Sequence, residues 1–206
     1  MRYLIITIPK IYIIVSIIPI NKMTLLKSLE KLKTGDKAPD FALKGIDGKT
    51  YSLADFKDAK ALLIIFMCNH CPYVKAKQET IVNLQAKYKD KGLIIVGINS
   101  NESENYPEDS FDGMVNVAKE KGYNFVYLHD ETQEVAKAYG ASCTPDPFLF
   151  DAEQKLVYHG RLNNQMEPDQ EPTEFDMDEA VAAVLEGKKP KHEFLFSIGC
   201  SIKWKN

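Results

Sequence analysis

Seven apolar residues in a row, Ala61-Leu62-Leu63-Ile64-Ile65-Phe66-Met67, run without a break into Cys68-Asn69-His70-Cys71-Pro72. So aliphatic a run reads as a buried strand, and the stretch that follows has helical character. The junction predicts a cysteine, Cys68, just past the strand, where the free N–H groups of a helix start converge and favour a thiolate. A helix N-terminus is worth at most about 2 kcal/mol to a partly buried anion, and one pKa unit corresponds to about 1.36 kcal/mol, so the dipole alone brings a thiol from about 8.5 to roughly 7. Any further drop needs direct backbone hydrogen bonds, the thiol of Cys71, or a protonated His70 in the same turn. His70 is therefore a candidate tuning residue; the plainer alternative is a solvated side chain in a first helical turn. Two thiols so placed point to thiol-disulfide exchange.

Length and composition support one domain. With 206 residues, 45% apolar and 27% charged, the chain buries a full core without staples. Its four cysteines, Cys68, Cys71, Cys143 and Cys200, are too few and too unevenly spaced for a structural disulfide framework. The net charge of −3, with Arg2 and Arg161 the only arginines, gives no electrostatic case for nucleic acid.

Residues 1–22 form an apolar extension unlike the rest. Tyr3 to Ile20 holds 18 residues, nine of them isoleucine, and as a helix would span about 27 Å, the thickness of a bilayer core. Lys10 costs roughly 2.5 to 3.5 kcal/mol on insertion, and Pro9 and Pro19 interrupt the helix. No small-residue cleavage site follows. The segment is read as an over-called start upstream of Met23, with a membrane anchor as the alternative. The expected location is the cytoplasm in the first case, and an extracytoplasmic domain tethered to a membrane in the second.

Residues 23–190 are expected to form the domain. Thr50 to Phe56 alternates as an extended segment, and Ala61 to Met67 is the buried strand. Pro72 opens a helix that carries Val74, Ile81, Val82, Leu84 and Tyr88 inward until Gly92 stops it. Leu93 to Ile98 is a strand, Pro107 to Lys121 a helix with Phe111, Met114, Val115 and Val117 inward, Phe125 to Leu128 a strand, and Glu131 to Tyr139 a short helix closed by Gly140. Pro147 to Asp151 and Lys155 to His159 close as an antiparallel hairpin, and a last helix covers about Asp176 to Glu186. The alternation is α/β. Residues 191–206 remain as a tail carrying Cys200 and the apolar Phe194, Leu195, Phe196, Ile198 and Trp204, which must dock on the domain or meet a partner.

The cysteine pair after a central strand, Thr144-Pro145 ahead of a strand, the hairpin and the final helix resemble the thioredoxin-like fold, a central mixed sheet flanked by helices. Gly35-Asp36-Lys37-Ala38-Pro39-Asp40-Phe41 and Tyr51-Ser52-Leu53-Ala54-Asp55-Phe56 resemble the AhpC/TSA redoxin branch of that superfamily. Cys68-Asn69-His70-Cys71-Pro72-Tyr73-Val74, Gly97-Ile98-Asn99-Ser100-Asn101, Asp130-Glu131-Thr132-Gln133-Glu134-Val135-Ala136 and Ser197-Ile198-Gly199-Cys200-Ser201-Ile202-Lys203-Trp204 are similar to its peroxiredoxin-like group carrying a CxxC. The resemblance implies that Cys68 attacks, Cys71 resolves the mixed disulfide, and Pro145 is a cis-proline beside a backbone edge left free for an extended substrate. Cys143 and Cys200 are candidate additional redox thiols. The implied partners are protein or small-molecule thiols and disulfides and a thiol electron donor, with no cofactor.

Departures from the relatives sharpen this expectation. The buried acid that thioredoxins carry six residues before the first cysteine is Leu62 here, and the usual tryptophan is Met67. If Cys71 is matched to the peroxide-attacking cysteine of peroxiredoxins, their threonine position is Cys68 and their arginine falls at Pro145. Peroxide chemistry needs donors that steady charge on the O–O bond, so the peroxidase reading, with peroxides as substrates, stands second. A third reading is a copper or zinc site built from Cys68, Cys71 and His159 or His192, although such relatives space their cysteines one residue wider. A histidine just before the second cysteine also occurs in the strong oxidant DsbA.

Overall fold

The computed structural model describes residues 3–8, 11–16 and 25–205. At the N-terminus β1 (Tyr3–Ile8) and β2 (Ile11–Ser16) pair antiparallel, Ile8 opposite Ile11. Those residues form a hairpin rather than the helix considered from the sequence. Among the described residues no helix is long and apolar enough to cross a membrane; Met23 lies outside them.

The domain continues with β3 (Leu25–Lys27), β4 (Ala42–Gly45), β5 (Thr50–Ser52), β6 (Ala61–Phe66), α1 (Pro72–Lys75), α2 (Gln78–Tyr88) and β7 (Leu93–Asn99). Then come α3 (Phe111–Glu120), β8 (Val126–His129), α4 (Glu134–Tyr139), β9 (Cys143–Thr144), β10 (Asp146–Asp151), β11 (Leu156–Gly160), α5 (Asp176–Leu185), β12 (Phe194–Leu195) and β13 (Ile198–Ser201). Eight strands make the central sheet in the order β12-β11-β10-β6-β7-β8-β4-β5. The run β6-β7-β8 is parallel, while β10 lies antiparallel to both β6 and β11. This mixed sheet between helices is the thioredoxin-like fold.

β6 occupies the middle because both its faces are apolar. Leu63, Ile65 and Met67 pack with Ile81 and Leu84 of α2, Met114 of α3 and Val181 of α5. Leu62, Ile64 and Phe66 face Ala136 and Tyr139 of α4 and Phe148 and Phe150 of β10. Each aliphatic residue so buried contributes about 1.5–3 kcal/mol relative to leaving it exposed.

Two helices break where the sequence suggested continuity, and both breaks serve the site. The helix expected from Pro72 to Gly92 divides at Lys77, whose N–H bonds back to Val74 in a tight i−3 turn (2.9 Å) while its side chain is buried. The helix expected from Pro107 begins as a 3-10 turn, Pro107–Asp109, and Ser110 then turns extended and caps α3 by accepting the Gly113 N–H (3.2 Å). Within α3, Met114 and Ala118 are the buried residues, while Phe111, Val115 and Val117 are half-buried. The tail is woven into the domain: β12 adds to the central sheet beside β11, and β13 lies between β3 and β9. Phe196 and Trp204 stay exposed.

Candidate functional site

Pro72 decides which thiol meets the helix. Its fixed φ and missing N–H suit the first helical position, and it holds the preceding residue extended. Cys71, with φ −67° and ψ 123°, is thus the N-cap of α1. Cys68 lies earlier, in the turn leaving β6, so the expectation that Cys68 sits at the helix start is corrected to Cys71.

The hydrogen bonds divide the two thiols the same way. Burial pushes Cys71 up, but hydrogen bonds from the thiols of Cys200 and Cys68 and from the backbone N–H groups of Cys200 and Val74 outweigh it, and Cys71 is held well below the usual thiol range. Its Sγ lies 2.8 Å from Cys200 Sγ, and its S–H is placed to donate to the Thr144 carbonyl oxygen (3.3 Å). Cys68 is raised by its own burial, by its hydrogen bond to Cys71 and by the charge of Asp109. Its Sγ is 3.2 Å from Thr144 Oγ1. The two thiols are therefore unlike: hydrogen bonds pull Cys71 down while burial pushes Cys68 up, the opposite order from the one the sequence resemblance implied.

Asp109, absent from the sequence reading, is a buried acid beside the cysteine pair, whereas position 62 holds leucine. The 3-10 turn before α3 brings its carboxylate, fully buried, to the cysteines. It accepts from the Asn69 N–H (2.6 Å), from Asn101 Nδ2 (2.8 Å) and from His70 Nδ1 (2.5 Å). Donor atoms of Cys68, His70 and Asp109 all lie within 4.8 Å of one another. His70 is stacked on Tyr106, ring centroids 4.7 Å apart, and its Nε2 is buried with no protein partner. His70 is thus a held, buried side chain and not a solvated one.

Those three residues could hold a metal ion, but the Asp109 carboxylate already takes three protein donors, which suits a hydrogen-bonded proton relay. The copper or zinc grouping considered with His159 is not assembled. His159 Nε2 meets Asp146 Oδ1 at 2.7 Å, its ring stacked 4.0 Å from Phe148, inside the core.

The Thr144–Pro145 peptide is cis. The edge of β9 beside it, expected to be free for a substrate, is occupied by the chain's own β13, with Cys200 opposite Thr144 and Ser201 opposite Cys143. Cys143 is buried, its thiol 3.9 Å from the Pro145 carbonyl oxygen. Burial, Asp146 and Cys71 all push its pKa up.

Lys77 also escaped the sequence reading, because a lysine near the start of an amphipathic helix looks solvated. Its Nζ is buried against Gln165 (Oε1 at 3.0 Å). Burial lowers it to about 8, with the Cys71 thiolate pulling the other way. The cation therefore weakens the fold and favours the thiolate. Its cost is full below pH 8 and fades between 8 and the ordinary 10.5, since there only the unfolded chain keeps the proton. In reduced protein, Lys77→Met is expected to raise stability most below pH 8, with the gain vanishing toward pH 10.5. Urea unfolding across that range checks it, and a gain that grows with pH would reverse the assignment.

The family model described as Redoxin matches residues 33–179. A conserved protein of known structure from Geobacillus kaustophilus superposes with a TM-score of 0.84 at 46% identity, covering 89% of this chain and 97% of that one. The thiol-disulfide oxidoreductase ResA of Bacillus thuringiensis subsp. konkukian is 28% identical over 128 residues, 62% of this chain and 69% of its own length. The chloroplastic peroxiredoxin Q of Triticum aestivum is 26% identical over 144 residues, 68% of this chain and 63% of its own.

Proposed function

The chain belongs to the Redoxin family, and on that premise we propose that it is a thiol-disulfide oxidoreductase working through Cys68 and Cys71. The observation that carries this reading is the placement of the two sulfurs: Cys71 caps α1 against Cys200, and Cys68 lies in the turn before it beside the buried Asp109–His70 pair. The Cys71 thiolate attacks one sulfur of a partner disulfide, the partner's other sulfur leaves as thiolate, and a mixed disulfide forms on Cys71. Cys68 gives its proton toward Asp109 and His70, attacks Cys71 Sγ and releases the reduced partner, leaving a Cys68–Cys71 disulfide. A thiol reductant then returns the pair to dithiol. The partner is a protein or small molecule carrying a disulfide.

The peroxidase reading gains support from the peroxiredoxin similarity and from the thiolate itself, but peroxide cleavage needs a cationic donor at the sulfur. Arg161, the one arginine among the described residues, is tied to Asp176 and Glu174 at 2.8 Å each. Exchange is the better-supported chemistry.

A trapping experiment tests it. With Cys68, Cys143 and Cys200 all replaced by serine, a mixed disulfide on Cys71 has no other cysteine of the chain to resolve it and should accumulate with a protein disulfide such as insulin. Trapping through Cys68 in a Cys71→Ser variant instead would restore the opposite assignment.

A further inference from the structure

Cys200 lies outside the pair, yet it is built against it. β13 places its Sγ 2.8 Å from Cys71 Sγ, and Cys71 also receives the Cys200 backbone N–H. The strand is fastened along its length. Cys200 stands opposite Thr144 on β9 and opposite Leu25 on β3. The Ile202 N–H bonds to Ser142 (3.2 Å), and the Lys203 carbonyl accepts from Glu102 N–H (2.9 Å) and Gln133 Nε2 (2.8 Å). Gly199 permits the approach, since a Cβ there would run into the Thr144 carbonyl oxygen. A strand so anchored is part of the centre, and its cysteine takes the place, beside Pro145, where the sulfur of an extended substrate would pair.

We propose that Cys200 is a third redox thiol, which takes over the disulfide from Cys68–Cys71 by exchange at Cys71. This rests on the reading of Cys68 and Cys71 as the reactive pair. In the step, Cys200 gives its proton to solvent and its sulfur attacks Cys71 Sγ. The Cys71–Cys200 bond forms, the Cys68–Cys71 bond breaks, and Cys68 leaves as thiolate and regains a proton. One disulfide is consumed and one is made, so no further oxidant is needed. The Asp109–His70 pair that accepts the Cys68 proton in the forward step returns one here, and the disulfide moves from the strand-helix turn to the C-terminal strand.

The test maps disulfides in the full chain after oxidation of the reduced protein with one equivalent of oxidised glutathione, acid quench, alkylation and peptide mass spectrometry. Wild type is expected to contain both Cys68–Cys71 and Cys71–Cys200. Cys68→Ser is expected to form Cys71–Cys200 within the monomer. Gly199→Ala, which forces β13 off Thr144, should lower the Cys71–Cys200 fraction about tenfold, the scale of one or two lost strand hydrogen bonds, and keep Cys68–Cys71. Wild type carrying only Cys68–Cys71, with Cys68→Ser halted at glutathionylated Cys71, would overturn the proposal and leave the pair's function standing. Should Cys68→Ser fail to fold, the wild-type map decides alone. A wild type with no internal disulfide at Cys71 would instead remove the pair's function, and this proposal with it.

Discussion

Replacing Cys71 by serine is expected to lower disulfide exchange by on the order of 10³-fold or more, because a hydroxyl at this position cannot form the covalent intermediate and Cys71 is the thiol whose pKa its hydrogen bonds lower. Cys68 is raised by burial and by Asp109, and Cys200 is raised by its hydrogen bond to Cys71 and by burial, so neither inherits the role. Insulin reduction by the full chain with a dithiol donor measures the effect. Activity within a few-fold of wild type would place the attacking sulfur elsewhere.

The second large effect is expected at Asp109. Asp109→Asn keeps the side chain's size but puts an amide where three donors converge, so at least one of Asn69 N–H, Asn101 Nδ2 and His70 Nδ1 loses its acceptor inside the core. An unsatisfied buried donor costs about 1–3 kcal/mol, and more where a charged partner is lost. Stability should fall by about 2–4 kcal/mol. Chemistry should suffer separately, because the resolving thiol loses its proton acceptor. In a Cys200→Ser background, closure of Cys68–Cys71 from a glutathione mixed disulfide should slow by about 10²–10⁴-fold. Quench-flow alkylation reads this step, and formation of the first mixed disulfide at Cys71 should change far less. Equal slowing of both steps would make Asp109 a structural residue only.

Legibility of the site in the sequence followed how local each signal was. The β6 run, the cysteine pair, Thr144-Pro145 and the hairpin from Asp146 to Gly160 were all legible, because each is a contiguous pattern with a steric or periodic cause. The assignment of the cysteine at the helix start missed by three residues, since Pro72 starts the helix at its own position and gives the cap to Cys71. Asp109 was invisible: it lies 39 positions from His70, and nothing in Pro107-Glu108-Asp109-Ser110 tells a solvated first helical turn from a 3-10 turn that buries its last carboxylate. The occupied edge of β9 was hidden for a related reason. That Cys200 belonged to a tail was plain, but the antiparallel placement against Thr144 depends on the absence of a side chain at Gly199 and on bonds between Lys203 and three loop residues remote in sequence, Asn101 accepting and Glu102 and Gln133 donating.

The most direct test of the central claim is a redox titration of the Cys143→Ser/Cys200→Ser protein in glutathione and dithiothreitol buffers, with each remaining thiol followed by alkylation and mass spectrometry. The account predicts that Cys68 and Cys71 leave the thiol pool together in one two-electron step. The backbone N–H groups of residue 200 and Val74 and the Cys68 thiol, all kept in this variant, favour a Cys71 thiolate and with it the dithiol form, so the midpoint should lie above thioredoxin's roughly −270 mV, toward the roughly −120 mV of a strong oxidant. Cys71 oxidised alone, with Cys68 still open to alkylation at every potential, would contradict it.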